Sequence, residues 1–362
     1  MKKVLVISSY PAPYRVGVFA GLAKEYDLDV FFDTCKNENR NATWFCKSGE
    51  LKFDVLDNDE AKKRFSKALS EIKKYDFVIA YDPARKPAIK AIILCRILGV
   101  PYYVNNDGAI IRPNFINDRI KRFLFKGARA CFASGDSSVK YFKYYGVKEE
   151  RIHIHCFSSL YESDILSSLP KDDDKKSLKE TLGLDVNLPA VISIGQFIPR
   201  KGFDVLLKAW KGIGDKAQLL IIGGGDDRPI YESMIGDLGL KNVKIIDFMP
   251  KDQLFKYYLA SDLFVLPTRE DVWGLVINEA MAMGLPVITT DNCNAGLELV
   301  VNGENGYIVP VEDVDALHNS LDGLLSDLEL CRKMSENNLK KIRAYTIENI
   351  ARSHIETIGL TL

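Results

Sequence analysis

The chain has 362 residues, 47% of them hydrophobic, with 49 Lys and Arg balanced by 49 Asp and Glu. Its length predicts two domains of about 100–200 residues each, and its zero net charge disfavours a nucleic-acid partner bound through overall basicity. No run of about 18 apolar residues predicts a transmembrane helix. We interpret the short apolar N-terminus as a buried first strand and expect a cytoplasmic protein.

Short apolar runs in the first half of the chain are typical of buried strands. We predict strands at residues 4–8, 30–32, 77–81, 102–105, 130–134 and 152–156. Helical stretches at 60–74 and 87–98 lie between them. Apolar strands that alternate with helices indicate a parallel sheet covered on both faces.

The second half repeats the pattern. We predict strands at residues 190–195, 218–223, 243–248, 263–267, 287–290 and 307–309. The predicted helices are 203–210, 252–260 and 274–283, followed after Pro310 by 313–328, 330–345 and 347–358. The fold class is therefore α/β, with two doubly wound Rossmann-like parallel sheets facing across a cleft, and ligands bind beyond the carboxyl ends of the strands.

The two halves differ in charge. Residues 1–150 carry 27 Lys and Arg against 18 Asp and Glu, whereas the remainder carries 22 against 31. This difference fits either two domains with different partners or ordinary drift of surface charge. The boundary lies within 158–187, where Lys171-Asp172-Asp173-Asp174-Lys175-Lys176 predicts a solvated loop or helix start rather than a metal site. Seven scattered cysteines without a Cys-x-x-Cys pair predict neither a zinc site nor a disulfide framework.

A first candidate site follows the predicted strand 190–195. Gly195 ends the strand, and Arg200, Lys201 and Gly202 precede an amphipathic helix. Cations beside the free N–H groups of a helix start suit a phosphate. A basic surface loop is the alternative, and the glycine spacing of a Walker A loop is absent.

A second candidate site follows the predicted strand 263–267. An acidic loop turns at Gly274 into a helix, and the N–H groups near Gly274, Leu275 and Val276 can hold a diphosphate. Asp271 and Glu279 can accept hydrogen bonds from sugar or ribose hydroxyls. The alternative is a capped helix with a surface acid.

These two segments, in this order and separation, resemble retaining glycosyltransferases of family 4, which have the GT-B fold and belong to the glycosyl transferases group 1. The family motif places an acid eight residues before a Glu in a stretch that ends Glu-Ala-Met-Ala-x-Gly-x-Pro, and Asp271 and Glu279 fit it. The family's phosphate-binding Arg is replaced here by Gln196, for which Arg200 is a substitute cation. The resemblance is strong over about 190–310 and loose over the first half.

The resemblance implies roles for further residues. Gly224, in a glycine turn, Met249, in the segment that meets the nucleobase, and Trp273, in the acidic loop, would bind the donor. Arg15 and Gly17 occupy the place of a loop that faces the donor phosphates, although a turn and helix cap is the alternative. Asp107 stands where many relatives have a functional His, and it can position the acceptor or accept its proton, unless it only forms an Asp-Gly turn.

Residues 119–129 mix cations with large apolar side chains. Such a basic amphipathic helix can lie on an anionic membrane, which suits an acceptor carried on a lipid diphosphate. A packed helix with a solvated basic face is the alternative.

The resemblance, together with these features, implies a retaining hexosyltransferase. It would move a sugar from a UDP- or GDP-sugar to a hydroxyl of a glycan or lipid-linked acceptor, in envelope polysaccharide or glycolipid assembly on the inner face of the membrane. The resemblance implies an acceptor domain at 1–165, a donor domain at 166–345 and a helix at 346–362 that crosses back, with no cofactor and no metal ion. Lys201, Asp271, Glu279 and Asp107 are the predicted catalytic residues.

Three other functions remain open at this stage. A GT-B epimerase would turn over a nucleotide sugar without an acceptor. A non-catalytic two-lobed sugar-binding protein would carry a secretion signal. A nicotinamide-dependent dehydrogenase would have a Gly-x-Gly-x-x-Gly turn after the first strand, where this chain has Pro11-Ala12-Pro13.

Overall fold

A computed structural model describes residues 1–36 and 51–362. The chain divides into two compact units. The first contains residues 1–161 and 345–362, and the second contains residues 162–344. Each unit is built on its own parallel sheet, so the predicted fold class of two Rossmann-like α/β sheets is confirmed.

Over residues 1–36 and 51–161, the first unit has a seven-stranded sheet in the order β3-β2-β1-β4-β5-β6-β7. Its strands are β1 (Lys2–Ser8), β2 (Tyr26–Phe32), β3 (Asp54–Val55), β4 (Phe77–Tyr81), β5 (Tyr102–Asn106), β6 (Cys131–Ala133) and β7 (Ile152–Ile154). All neighbouring strands pair in parallel. The strand order reverses between β1 and β4, and the loops after these strands therefore form the natural ligand edge.

Among the residues that the structure describes, six helices cover this sheet. They are α1 (Pro13–Leu22), α2 (Asp59–Ser70), α3 (Lys86–Leu98), α4 (Phe115–Lys126), α5 (Asp136–Tyr144) and, from the end of the chain, α14 (Ile347–Thr361). The helix predicted at 60–74 is shorter in the structure. Helix α2 ends at Ser70, and a separate 3₁₀ turn, Ile72–Lys74, follows. Ile72 and Tyr75 are buried there, so packing against the sheet outweighs helix propensity.

The second unit has a six-stranded sheet in the order β10-β9-β8-β11-β12-β13. Its strands are β8 (Ala190–Gln196), β9 (Gln218–Gly224), β10 (Val243–Asp247), β11 (Leu263–Leu266), β12 (Val287–Thr290) and β13 (Gly306–Val309). Again all neighbours pair in parallel, and the order reverses between β8 and β11.

Helices also surround the second sheet. They are α6 (Asp172–Thr181), α7 (Phe203–Ala209), α8 (Arg228–Asp237), α9 (Lys251–Ala260), α10 (Leu275–Ala282), α11 (Asn294–Leu299), α12 (Val314–Ser326) and α13 (Leu328–Ile342). Helix α6 begins with the three-aspartate run. Of the two predicted outcomes, a solvated loop or a helix start, the structure shows the helix start. Acidic residues in a first turn offset the positive end of the helix dipole.

Each unit has its own hydrophobic core. Strands β1 and β4 are buried almost throughout in the first unit, and β8, β9 and β11 are buried in the second. Within the described residues, no helix combines the length and the apolar character needed to cross a bilayer.

Candidate active site

The loops after β8 and β11 are joined to each other at the edge where the strand order reverses. After β8, a 3₁₀ turn at Pro199–Lys201 leads into Gly202, which has a φ of +68°. A Cβ at Gly202 would lie 2.0 Å from the carbonyl oxygen of Pro267, the residue that follows β11. Glycine is therefore required there both by its backbone conformation and by the close approach of the second loop.

Lys201 and Asp271 form a buried ion pair between these loops. Lys201 Nζ donates to Asp271 Oδ2 at 2.5 Å, and the two side chains are only 11% and 10% exposed. A lysine ammonium has three N–H donors, so the contact with Asp271 leaves donor capacity for a further acceptor. The pair is thus a fixed cation with a carboxylate beside it.

Arg200 lies at the rim of this pair. Its Nη1 donates to the carbonyl oxygen of Glu270 at 2.6 Å and lies 3.9 Å from Asp271 Oδ1. Its own carbonyl oxygen accepts from Thr268 Oγ1 at 3.0 Å and from the backbone N–H of Arg269 at 2.8 Å. The structure therefore brings Arg200, Lys201 and Asp271 together, as the two sequence segments predict.

The backbone around Asp271 is held by the segment that follows β12. Asp271 N–H donates to the Asn292 carbonyl at 3.0 Å, and Ala295 N–H donates to the Trp273 carbonyl at 2.8 Å. Gly274 then adopts a φ of +102°, and a Cβ there would lie 2.8 Å from Cys293 Sγ. This tight loop sets the direction in which α10 begins.

Helix α10 starts directly after Gly274 with Leu275 and Val276, and no side chain caps its N-terminus. The first N–H groups of a helix lack partners within the helix, so this turn presents donors to an anion. Trp273 is buried, and its Nε1 donates to Asn278 Oδ1 at 2.9 Å. The buried indole therefore connects the loop to α10 through this hydrogen bond and is not exposed to solvent.

Glu279 lies in the middle of α10 and is half-buried. Its Oε2 accepts from the hydroxyl of Tyr258, on α9, at 3.1 Å. Burial raises the pKa of Tyr258 well above its ordinary value, and the neighbouring Glu279 raises it further. Tyr258 consequently stays a hydrogen-bond donor that orients the carboxylate.

Predicted glycines lie at the ends of β8 and β9, and Gly195 packs beside Lys201. A Cβ at Gly195 would lie 3.5 Å from Lys201 Cδ, and a Cβ at Gly223 would lie 1.9 Å from the Gly195 carbonyl oxygen. Gly224 accepts from Phe197 N–H at 2.8 Å, and the space where its Cβ would stand is open. This arrangement keeps side chains away from the end of β8.

Met249 lies between β10 and α9 and is half-buried. Since β10 is the edge strand, two positions from β8, Met249 follows a different part of the sheet from Lys201. No hydrogen bond among the described residues joins Met249 to Lys201 or Glu279. Its contact with a nucleobase stays a prediction.

In the first unit, Arg15 lies on α1 after β1 and is buried between two carboxylates. Its Nη2 lies 2.8 Å from Asp107 Oδ2, and Nη1 pairs with Asp82 and donates to Ser8 Oγ at 2.6 Å. Burial alone would lower the pKa of Arg15, but Asp82 and Asp107 outweigh it and hold the pKa well above the ordinary value. The guanidinium therefore positions Asp107, and its contact with a donor phosphate stays a prediction.

Asp107 is held from a second side. Its Oδ1 accepts from Asn105 Nδ2 at 2.6 Å, and Asn105 Oδ1 lies 3.1 Å from Nε2 of His354 on α14. His354 is fully buried, and burial lowers its pKa to about 3, so the ring is neutral. This chain of contacts links the C-terminal helix to the predicted acceptor-side carboxylate.

Gly17 has a packing role in the structure. A Cβ at Gly17 would lie 2.5 Å from the Tyr161 hydroxyl and 3.1 Å from Ile347 Cγ2. The glycine therefore allows α1 to approach the start of α14 closely, and its contact with the donor stays a prediction.

The sequence analysis missed Asp82, Tyr258, Asn105 and His354. Asp82 follows β4 directly at the reversal of strand order, so the rule about strand ends could have found it. The other three carry no local signal, because their importance comes from contacts between distant parts of the chain. No group of three or more His, Cys, Asp or Glu in the described ranges is arranged to hold a metal ion.

Two Rossmann-like parallel sheets in one chain constitute the GT-B fold class. The solved structure of Anabaena Alr3699/HepE in complex with UDP matches 99% of this chain and 100% of that one, with a TM-score of 0.78 and 18% identity. At this identity the likeness shows the fold alone.

The second unit contains a matched domain. Residues 174–341 match the sequence model of the family described as Glycosyl transferases group 1, a range that includes Lys201, Asp271 and Glu279.

Curated relatives agree with this match. A "GDP-mannose-dependent alpha-(1-6)-phosphatidylinositol monomannoside mannosyltransferase" of Mycolicibacterium smegmatis is 33% identical over 170 residues, 44% of each chain. The "Capsular polysaccharide biosynthesis glycosyltransferase CapM" of Staphylococcus aureus is 26% identical over 321 residues, 75% of this chain and 82% of that one. The chain spans about half the length of several other curated relatives it matches.

Proposed function

We propose that this protein is a retaining glycosyltransferase of family 4. It transfers a sugar from a UDP- or GDP-sugar to a hydroxyl of a glycan or lipid-linked acceptor, in envelope polysaccharide or glycolipid assembly. The matched domain at 174–341 supports the activity, and the names of the capsular and mannosyl relatives support the classes of donor and acceptor. The cytoplasmic location expected from the sequence is part of the proposal.

The observation that carries the proposal is the buried Lys201–Asp271 pair between the loops after β8 and β11. It lies where strand order reverses, the edge at which open α/β sheets bind nucleotides. The uncapped start of α10, at Leu275, follows four residues after Asp271. A cation and a helix start at one edge are suited to a diphosphate, which carries most of the charge of a nucleotide-sugar donor.

Each part of the donor has a matching group in the proposal. Lys201 and Arg200 offset the negative charge that develops on the leaving diphosphate, with help from the helix start near Gly274. Glu279, oriented by Tyr258, accepts from the ribose hydroxyls, and Asp271 accepts from the donor sugar.

The proposed substitution occurs on one face of the sugar. The C1–phosphate bond breaks and the acceptor oxygen bonds to C1 on the same face, while the leaving phosphate takes the acceptor proton. Asp107 positions the acceptor hydroxyl for this transfer. In this proposal protein cations, rather than a metal ion, stabilise the leaving group.

A thermal-shift screen with UDP, GDP, UDP-glucose and GDP-mannose tests donor binding, because a ligand that binds only the folded state raises the melting temperature. The Glu279→Ala variant should bind the preferred nucleotide about 10- to 100-fold more weakly, as expected when hydrogen bonds to a charged group are lost, and should lose transfer. The control variant Glu336→Ala removes an exposed glutamate from α13 and should behave as wild type.

Near-normal transfer by Glu279→Ala, or no response to any of the four ligands, would contradict the proposal. Full-rate turnover of a nucleotide sugar without an acceptor would favour the epimerase instead.

A further inference from the structure

Helix α4 turns an apolar stripe towards solvent. Ile116, Ile120 and Phe123 are 69%, 44% and 47% exposed, and their i, i+4, i+7 spacing puts them on one face. Phe115, at the start of the helix, is 75% exposed. A surface helix normally buries its apolar stripe against the core. The sequence analysis allowed a packed helix with a solvated basic face as the alternative. That alternative does not account for the exposed apolar side chains of α4.

The end of α3 extends the same surface. The Arg96 guanidinium lies 4.1 Å from the centre of the Phe123 ring, and its Nη1 donates to the Phe123 carbonyl at 2.7 Å. The next residue, Ile97, is 71% exposed. We call the exposed side chains of Ile97, Phe115, Ile116, Ile120 and Phe123 the α3–α4 apolar face. Large exposed apolar patches mark contacts with partners or membranes.

Arginines contact two aromatic side chains of this face, and the sequence around it is rich in cations. Residues 83–148 contain 13 Lys and Arg but only three Asp and Glu. Arg119 lies over the Phe115 ring at 4.8 Å, whereas Asp118, the one acid in α4, accepts from the Tyr144 hydroxyl at 2.9 Å. Lys121 instead lies over the rings of Tyr141 and Tyr145. Arg119 and Arg122 are therefore the α4 cations to test beside the apolar stripe.

Charge decides which partner fits. A second copy of the chain that used this face symmetrically would bring the same cations together, which is unfavourable. An anionic bilayer offers negative headgroups to the cations and an acyl boundary to the apolar side chains. We propose that the α3–α4 apolar face docks this protein on the surface of an anionic phospholipid membrane.

This inference goes beyond the proposed reaction. The face belongs to the first unit, whereas Lys201, Asp271 and Glu279 belong to the second. Docking therefore has a readout that needs neither donor nor acceptor.

The test is cosedimentation of the full chain with vesicles of phosphatidylcholine alone or mixed with phosphatidylglycerol. Wild type should bind the mixed vesicles and release them at high salt, because screening weakens the attraction. The variant Ile116→Ser/Ile120→Ser/Phe123→Ser should bind at least about ten-fold more weakly, since its apolar insertion is lost. Arg119→Ser/Arg122→Ser should also lose about ten-fold or more.

The matched control is Ile230→Ser/Leu328→Ser, which removes two exposed apolar side chains (55% and 71% exposed) from the second unit. It should bind vesicles as wild type does. Far-UV circular dichroism and thermal unfolding of every variant report whether it is folded, without any ligand. A wild type that does not respond to nucleotide therefore bears on the proposed reaction and not on docking.

Three results would overturn the inference. One is unchanged vesicle binding by the triple serine variant. Another is equal binding to neutral and anionic vesicles. The third is a wild-type dimer in solution that the triple variant converts to monomer, which would assign the face to a second copy.

Discussion

At the scale of single residues, Lys201 and Asp271 each depend on the other for their charge to be tolerated. Both side chains are about nine-tenths buried. Removing one member of a buried pair leaves an uncompensated charge, which costs about 3–5 kcal/mol. We expect Lys201→Met to lower the free energy of unfolding by about this amount, measured by urea denaturation.

The double variant Lys201→Met/Asp271→Leu separates stability from function. It removes both charges at similar volume, so most of the lost stability should return, while the response to nucleotide should stay absent. Lys216→Met is the control, because the Lys216–Asp322 pair is exposed and such pairs contribute about 0–1 kcal/mol. A double variant as unstable as the single one would mean that Lys201 matters for packing and not for charge.

At the scale of elements, α1 and α14 pack closely through two glycines one helical turn apart. A Cβ at Gly21 would lie 2.6 Å from the Ala351 Cβ, and Gly17 meets Ile347 in the same way. A larger side chain would have to push the helices apart. We expect Gly21→Leu to lower the free energy of unfolding by about 1–3 kcal/mol, the usual effect of overpacking.

The control for this packing lies on α14 itself. Gly359 has open space where a Cβ would stand. Gly359→Ala should therefore leave stability unchanged or raise it by up to about 1 kcal/mol through better helix propensity. Equal destabilisation by both variants in thermal unfolding would show that the helix termini, and not the contact between α1 and α14, control the effect.

Elements that bury apolar runs were predictable from the sequence. Each of the twelve predicted strands has a counterpart. The central ones are apolar along most of their length because both of their faces are covered. The two-residue β3 was missed because Asp54 and Val55 form no such run. The break after α2 was missed because the burial of Ile72 and Tyr75 is decided by the sheet and not by local propensity.

The candidate site was predictable only where its residues follow strands. The spacing of Asp271 and Glu279, and the position of Lys201 after a strand, predicted these residues. Their orientation by other elements did not follow from the sequence. Asn105 and His354, for example, are 249 positions apart and meet only when α14 packs into the first unit. A contact of that kind leaves no periodic signal in either segment.

At the scale of the whole molecule, the two units differ in their buried histidines. Three of the four histidines, 153, 155 and 354, belong to the first unit. Burial lowers the pKa of His155 to about 3, and burial together with the neighbouring His155 lowers that of His354 to about 3. Both nitrogens of His155 are buried without a hydrogen-bond partner among the described residues.

These shifts make the first unit the more acid-sensitive one. Between pH 6.5 and about 3 the unfolded chain binds protons at His155 and His354 that the folded unit does not, so stability falls as pH falls, by up to about 1.4 kcal/mol per pH unit for each histidine. Hydrogen-exchange mass spectrometry, corrected for intrinsic rates, should show the opening free energy of β1, β4 and β5 falling more between pH 7 and 5.5 than that of β8, β9 and β11.

The variant His155→Phe tests the cause of this difference. It keeps an aromatic ring beside Phe157 and His354 but cannot bind a proton, so about half of the pH-dependent loss in the first unit should disappear. His318→Phe changes the one histidine of the second unit and should leave the first unit's response intact. Equal weakening of both units on acidification, with no effect of His155→Phe, would contradict this explanation. It would mean that carboxylates, which each unit contains, govern acid stability and the buried imidazoles do not.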